Sequence, residues 1–242
     1  MSVPARVAAL LAAVAAAVAG IVFVSVYYIG DASSLPVIHY AATNGVVNVV
    51  LQEDPKSGEA TVPDWVTYYA QDPGTQKWLH TTLFSVPANT KVKVTIYGYD
   101  GCTPLRNNFY SQVLGTDGGT VGVRQYDKNN KPIGGAQTVS VINSWADCNV
   151  AHTFAIPGIG LYVPVASPNA DNSKNNLCAT GPCTPDMGVA YSVETFSFTS
   201  PSKPGVFRWQ CLVPCGGGYV DGNSGPMQTL GWMAGEMTVL AS

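Results

Sequence analysis

The sequence predicts an all-β sandwich that follows one N-terminal transmembrane helix. Charged residues make up only 11% of the chain, whereas Gly (25) and Pro (17) are plentiful, which is typical of short strands joined by turns. Apolar and polar residues alternate with a period of two between residues 91 and 97. Residues 7–30 form a continuous uncharged and largely apolar run. Each of these observations supports one part of the predicted architecture.

The N-terminal run is predicted to be a retained membrane anchor over residues 1–30. No charge occurs between Arg6 and Asp31, and a helix of this length crosses about 30 Å of hydrocarbon. The single positive charge of Arg6 favours a cytoplasmic N-terminus, so the remainder of the chain is expected to be extracytoplasmic. A cleaved signal peptide is the alternative, although its apolar region usually spans roughly 7–15 residues. The lipid bilayer is therefore the first predicted partner.

Residues 31–83 are predicted to be a linker and an N-terminal β extension. A polar linker (31–36) precedes residues 39–51, which read as one strand or as a strand pair with a turn at Asn44-Gly45. The turn-rich segment 52–76 is predicted to be an insertion lying on the sandwich, and no chemistry is assigned to it.

Residues 84–242 are predicted to form the sandwich domain. Val92, Val94 and Ile96 fall on one face of a strand, and Lys91 and Lys93 fall on the other, as in a half-buried strand. Turn signals between residues 108 and 142 indicate a meander. Further strands are predicted at 150–157, 160–165, 193–201, 205–211 and 235–240.

Charge and motif content exclude several classes of function. With 12 basic and 15 acidic residues the net charge is −3, which gives no positive field for nucleic acid. The sequence has no H-E-x-x-H, no P-loop and no G-x-S-x-G motif. Carboxylates such as Asp100, Asp147 and Asp221 stand isolated in the sequence, which gives no support for acid–base catalysis. An electron carrier or accessory subunit is therefore expected rather than an enzyme.

Six cysteines form an even set, which in an exported chain usually indicates disulfides. Cys178 and Cys183 lie in one polar loop and can pair within it. Cys102 and Cys148 flank the predicted strand 150–157 and can form a second bridge. The last two cysteines then remain as either metal-binding thiolates or a third disulfide.

Those two cysteines lie in the segment with the most chemistry. A strand leads to Cys211, and the Gly-rich loop that follows contains Cys215, Met227 and Met233 before the final strand. His152 is the candidate imidazole from an upstream strand. Thiolate, imidazole and thioether are the donors that soft copper prefers, so copper is the predicted cofactor and Met227 a possible extra ligand.

At this point the chain resembles the cupredoxin family, over most of residues 84–242. The family's H-T-F-like segment, G-x-Y/F-x-x-x-C strand and G-x-M-x-G loop end correspond to His152-Thr153-Phe154, Gly205–Cys211 and Gly231–Gly235. The resemblance implies a Greek-key β-sandwich. It also implies His152 as the upstream imidazole, Cys211 as the thiolate and Met233 as the axial thioether.

The chain departs from that family at one position. Family members have a second His in the loop, but residues 212–232 contain none. The C-x₃-C spacing of Cys211 and Cys215 instead resembles the binuclear copper site in subunit II of haem–copper oxidases, which also follows an N-terminal helix in some cases. That site needs a His four residues after the second Cys, where this chain has Tyr219.

Two functions from different classes follow. The first is electron transfer by a membrane-anchored copper protein. Its partner would be a redox protein or respiratory-complex subunits, and one form of this hypothesis makes the chain a subunit-II-like component of an oxidase. The second is a copper-free accessory or surface-assembly protein in which Cys211 and Cys215 form a disulfide. Copper storage is a third reading, disfavoured because the sequence has no Met-rich or His-rich tract.

Overall fold

A computed structural model of the chain describes residues 3–24, 35–57, 63–102, 107–142, 149–168, 182–215 and 225–241. The chain divides into two compact units, Met1–Leu35 and Pro36–Ser242. The predicted disulfide partners Cys148 and Cys178, and also Tyr219, lie outside the described residues.

The first unit contains one α-helix, α1 (Val3–Val24). Its 22 residues give a length of about 33 Å at 1.5 Å per residue, which is enough to cross a bilayer. None of its residues is buried. A helix of this length and composition at an N-terminus serves either as a membrane anchor or as a signal sequence. The predicted N-terminal apolar helix is confirmed, and its orientation stays a prediction.

The second unit is built from strands and short 3₁₀ turns. The strands are β1 (Ile38–His39), β2 (Ala42–Thr43), β3 (Val46–Asp54), β4 (Thr67–Gln71), β5 (Trp78–Leu79), β6 (Leu83–Pro87), β7 (Lys91–Gly98), β8 (Val121–Tyr126), β9 (Pro132–Val139), β10 (Val150–Ile156), β11 (Leu161–Ala166), β12 (Tyr191–Thr199), β13 (Gly205–Gln210) and β14 (Ala234–Leu240). The 3₁₀ turns are Asn108–Ser111, Asp117–Gly119, Pro157–Ile159, Pro185–Met187 and Gly225–Gln228.

Within the described residues these strands form two sheets. One has the order β1-β6-β14-β13-β10-β11, and the other has the order β5-β4-β3-β7-β12-β8-β9, with β2 paired to β3. Several neighbours in each sheet are far apart in sequence, as Greek-key connections require. The predicted all-β sandwich behind an N-terminal helix is therefore confirmed.

The N-terminal strands belong to the same two sheets as the later ones. Strand β3 pairs in parallel with β7 from Val46↔Lys91 to Glu53↔Gly98, which places it next to the strand with the clearest alternation. The predicted boundary between residues 83 and 84 falls inside β6, and one compact unit runs from Pro36 onward. Strand β3 belongs to the sandwich, and does not form a separate extension, because it buries its apolar side chains against the sandwich interior.

The predicted turn at Asn44-Gly45 is present between β2 and β3. Both residues have positive φ, 52° and 79°, and they connect two antiparallel strands as a two-residue hairpin turn. Asn-Gly is the sequence that best tolerates this backbone conformation, because Gly has no Cβ and Asn enters the left-handed region readily.

Trp209 is the centre of the core on the β13 side. It is fully buried, and its Nε1–H donates to the Thr82 carbonyl at 3.0 Å. Gly235 on β14 lies directly against this arrangement. A Cβ at Gly235 would come within 2.2 Å of the Thr82 carbonyl oxygen and 2.4 Å of the Trp209 ring. The last Gly of the G-x-M-x-G segment therefore lets the indole pack between strands.

Candidate metal centre

His152 reaches the interior of the sandwich from β10. All residues of β10 are buried, and the pairing register with β11 shifts between Val150 and His152, which marks a β-bulge. Bulges re-aim side chains and are common beside functional sites. The His152 side chain is only 1% exposed, so both ring nitrogens must find partners within the protein.

The two ring nitrogens of His152 face different groups. Nδ1 lies 3.7 Å from the Cys211 Sγ. Nε2 lies 2.9 Å from Asp100 Oδ2 and 3.0 Å from Glu53 Oε1. We refer to the first environment, formed by Cys211, Cys215 and Met227, as the sulfur side, and to the second, formed by Glu53 and Asp100, as the carboxylate side. Because carboxylate oxygens accept hydrogen bonds, the Nε2 atom carries a proton.

Cys211 is held by residues of β10 and by the residue that precedes β14. It follows β13 directly, and its backbone N–H donates to the Met233 carbonyl at 2.8 Å. Its fully buried Sγ accepts a hydrogen bond from the Thr153 backbone N–H at 3.4 Å. The Thr153 hydroxyl in turn accepts from the Leu212 N–H at 2.7 Å. These protein contacts by themselves hold the Cys211 sulfur next to the imidazole.

Cys215 completes the sulfur side. The donor atoms of His152, Cys211 and Cys215 all lie within 4.8 Å of one another, and both cysteines are free. The Cys215 backbone N–H donates to the Met227 Sδ at 3.5 Å, so this thioether lies beside the second thiol. Met233 is fully buried, and its backbone contacts Cys211, but its role as an axial thioether stays a prediction.

The charges of these groups are strongly coupled. Burial by itself raises the pKa of Cys211, but hydrogen bonds from Cys215 and His152 outweigh it and hold that pKa well below its ordinary value. The hydrogen bond to Cys211, followed by burial, raises the pKa of Cys215. Burial lowers the pKa of His152, yet the Glu53 charge and the Asp100 hydrogen bond raise it overall. The arrangement favours negative charge on Cys211 and positive charge on His152.

The carboxylate side was not foreseen from the sequence. Segment 52–76 was expected to be a surface insertion without chemistry and Asp100 to stand alone, but Glu53 is fully buried and both carboxylates contact His152. The sequence contains one signal for the buried position of Glu53. Glu53 continues the inward-facing row of Val47, Val49 and Leu51, and a carboxylate at an inward position needs a buried partner.

Among the described residues, the other predicted cysteines and the other histidines belong to neither metal-binding cluster. Cys102 and Cys183 are both disulfide-bonded, while their pairing with Cys148 and Cys178 stays a prediction because those partners are not described. His39 Nδ1 pairs with the Ser85 Oγ at 2.7 Å. The chain has three histidines, and His80 Nε2 contacts the Thr67 Oγ1 at 3.1 Å. Neither His39 nor His80 belongs to a metal-binding cluster among the described residues, so His152 is the one imidazole there.

Comparison with known proteins gives structural matches alone. No family model matches the chain, and no curated protein matches it. A structure described as the copper protein rusticyanin matches with 13% identity and a TM-score of 0.30, covering 84% of this chain and 82% of that one. Rusticyanin from Thiobacillus ferrooxidans gives 12% identity and 0.32 over the same shares. Reduced rusticyanin gives 10% and 0.31, covering 84% of each chain. Scores this low carry no argument, and the sandwich assignment stands on the strand pairing.

Proposed function

We propose that this protein is a membrane-anchored, cupredoxin-like carrier of single electrons, with copper bound on the sulfur side of His152. The observation that carries the proposal is the convergence of one imidazole nitrogen and two free thiols within 4.8 Å inside a buried β framework. Structural cysteines in exported domains are usually bridged, so two free thiols beside a histidine favour a ligand role.

The donors present fit copper. Thiolate, imidazole and thioether are soft or borderline donors, and this set is one that copper selects over hard cations. His152 Nδ1, Cys211 Sγ and Cys215 Sγ would hold the ion, with the thioether of Met227 or Met233 as a weaker ligand. Bound copper supplies one-electron chemistry by exchanging between Cu(I) and Cu(II).

The surrounding residues prepare the site for that exchange. The Thr153 N–H hydrogen bond at 3.4 Å stabilises negative charge on Cys211. Glu53 and Asp100 orient the imidazole through Nε2, which directs Nδ1 toward the thiols. Cys211 and His152 are excluded from water, and their strands are fixed by ladder hydrogen bonds. Such a frame changes little between the two oxidation states, which favours rapid electron transfer.

The number of imidazoles favours a single copper ion. The C-x₃-C spacing of Cys211 and Cys215 resembles that of a binuclear site, but the latter needs two imidazoles and only His152 is within reach. A more specific form of the proposal is a subunit-II-like component of a respiratory oxidase, which this spacing and the N-terminal helix support. In either form, we propose that the domain lies on the extracytoplasmic face and exchanges electrons with a redox protein or respiratory-complex subunits.

The test uses the full chain purified in detergent with its thiols reduced. After loading with copper and removal of excess metal, we expect about one copper per chain, a thiolate-to-copper charge-transfer band in the visible spectrum of the oxidised form, and a reversible one-electron titration. Cys211→Ser should lose the band and most of the copper, whereas Met237→Leu, a buried methionine on β14, should retain both. Absence of copper together with a Cys211–Cys215 disulfide in peptide mass spectrometry would instead establish the copper-free accessory role.

A further inference from the structure

The carboxylate side of His152 contains more acceptors than protons. The single Nε2–H is hydrogen-bonded to Asp100 Oδ2 at 2.9 Å. Glu53 Oε1 lies 3.0 Å from the same nitrogen but receives no hydrogen bond, although Glu53 is fully buried. Its other oxygen, Oε2, accepts from the Asp100 backbone N–H at 3.2 Å. A fully buried carboxylate oxygen is thus aimed at the cluster without a donor.

Few cationic groups lie beside these carboxyl groups. Asp54, the residue after Glu53, is fully buried as well and accepts from the Gln52 side chain and the Cys183 backbone N–H, both neutral donors. In the described part of the chain, no Lys or Arg forms an ion pair with Glu53, Asp54 or Asp100. Burial disfavours the ionised forms of Glu53 and Asp54, a nearby cation would stabilise them, and His152 can supply at most one positive charge.

We propose that Glu53 Oε1, Asp100 Oδ2 and His152 Nε2 form a binding site for a divalent cation of the Zn²⁺ class, separate from the sulfur side. Carboxylate oxygen and imidazole nitrogen are ordinary ligands of Zn²⁺ at about 2.0–2.2 Å, and three protein ligands with one open position are a common set. Donor atoms 2.9 and 3.0 Å apart are close enough to share one such ion instead of one proton.

The site has a route to solvent and its own ligand atoms. The Asp100 side chain is 32% exposed, so it can admit an ion that the buried Glu53 then binds. On metal binding the Nε2 proton leaves, and the neutral imidazole keeps its remaining proton on Nδ1, so this form of the ring does not bind copper through Nδ1 at the same time. This site shares the His152 ring with the sulfur side but needs neither thiol. It therefore does not depend on the proposed copper function.

The test uses Co²⁺ as a spectroscopic probe for Zn²⁺ in the full-length Cys211→Ser/Cys215→Ser variant in detergent. Removal of both thiols leaves the carboxylate side as the candidate site. We expect about one Co²⁺ per chain, with ligand-field bands of oxygen and nitrogen coordination and no thiolate-to-cobalt charge transfer. Zn²⁺ should displace the Co²⁺ and remove these bands.

Substitutions locate the ion. In the double-serine background, Glu53→Gln and Asp100→Asn should each weaken Co²⁺ binding by at least about tenfold. Asp100→Asn is the safer variant, because this side chain is partly exposed and its loss should spare the fold. Glu194→Gln, a buried carboxyl that does not contact His152, is the matched control and should bind Co²⁺ unchanged.

Two results would overturn the proposal. One is a folded double-serine protein that binds no Co²⁺, which would make the carboxylate side an ion pair alone. The other is unchanged binding in Asp100→Asn and Glu53→Gln. Failure of the copper experiment with success of this one would reject the proposed electron-transfer function while leaving the second site in place.

Discussion

On the Nδ1 side of His152 lie two thiols and a thioether, and on the Nε2 side lie two carboxylates. The sulfur side is closed to water at Cys211, which is fully buried, whereas the carboxylate side opens to solvent through Asp100. One ring thus separates soft donors from hard donors. A single histidine can thus be held by carboxylates at one ring nitrogen while the other nitrogen faces thiols, and substitutions can separate the two roles.

Removal of the ring itself should have the largest effect. His152→Ala deletes the nitrogen for both sides and leaves the Glu53 charge buried without its partner, which should cost about 3–5 kcal/mol of unfolding free energy at neutral pH. Urea unfolding of the metal-free protein measures this. His39→Ala, at an exposed histidine on β1, is the control and should cost less than about 1 kcal/mol. Equal losses in the two variants would contradict the buried pairing.

The two thiols should differ in their contribution to copper binding. Cys211 has the lowered pKa and accepts the Thr153 N–H, whereas the pKa of Cys215 is raised, so Cys211 is the more readily ionised of the two thiols. We expect Cys211→Ser to weaken Cu(I) binding by more than about 100-fold, and Cys215→Ser to weaken it less, by about tenfold. Competition with a Cu(I) chelator measures both. The reverse order would show that the charge is placed on the other sulfur.

Another buried carboxyl, that of Glu194, contrasts with Glu53 because its hydrogen-bond donor is neutral. Glu194 is fully buried, and burial raises its pKa from 4.5 to about 8 in spite of the hydrogen bond from the Ala166 N–H. The negative charge of Glu53 contributes to the rise. Unlike Glu53, Glu194 has no contact with His152 among the described ion pairs.

The sign of its effect on stability follows from the raised pKa. The folded chain binds this proton more tightly than the unfolded chain, so the contribution is complete below about pH 4.5 and is lost as the pH rises toward about 8. Glu194→Gln should therefore gain about 2–4 kcal/mol relative to the parent chain at about pH 8 compared with about pH 5. Urea titrations at both pH values test this, and a pH-independent difference would contradict it.

The smallest expected effect concerns the thioether. Met227 Sδ accepts the Cys215 N–H, and a thioether ligand favours Cu(I). A threefold to tenfold preference corresponds to about 30–60 mV for a one-electron couple, so Met227→Leu should lower the midpoint potential by about that amount. Met237→Leu should leave the potential unchanged. A shift in Met237→Leu of the same size would mean that the change comes from core packing.

The sequence predicts those parts of the molecule whose signal is local. Alternation identifies β7, where Val92, Val94 and Ile96 are buried while Lys91 and Lys93 are exposed. The Asn44-Gly45 turn and the strand leading to Cys211 were identified for the same reason. Short-range patterns report which residues face inward, and they do so whatever the final topology.

The place of β3 and the carboxylate side depend on long-range strand pairing, which the sequence does not reveal. Strand β3 lies beside β7 through a parallel pairing that no turn connects, so its place inside the sandwich has no local signal. Glu53 and Asp100 are 47 residues apart and meet only because Glu53 pairs with Gly98, close to Asp100. The carboxylate side could be predicted only after the register of β3 was known.

The close approach at Gly235 restricts how this chain can diverge. A methyl group there would overlap both the Trp209 ring and the backbone carbonyl of Thr82. A smaller residue at position 209 would relieve the first overlap but not the second, because the second is with the backbone. A selection experiment that varies both positions should therefore recover Gly at position 235 whatever residue stands at position 209.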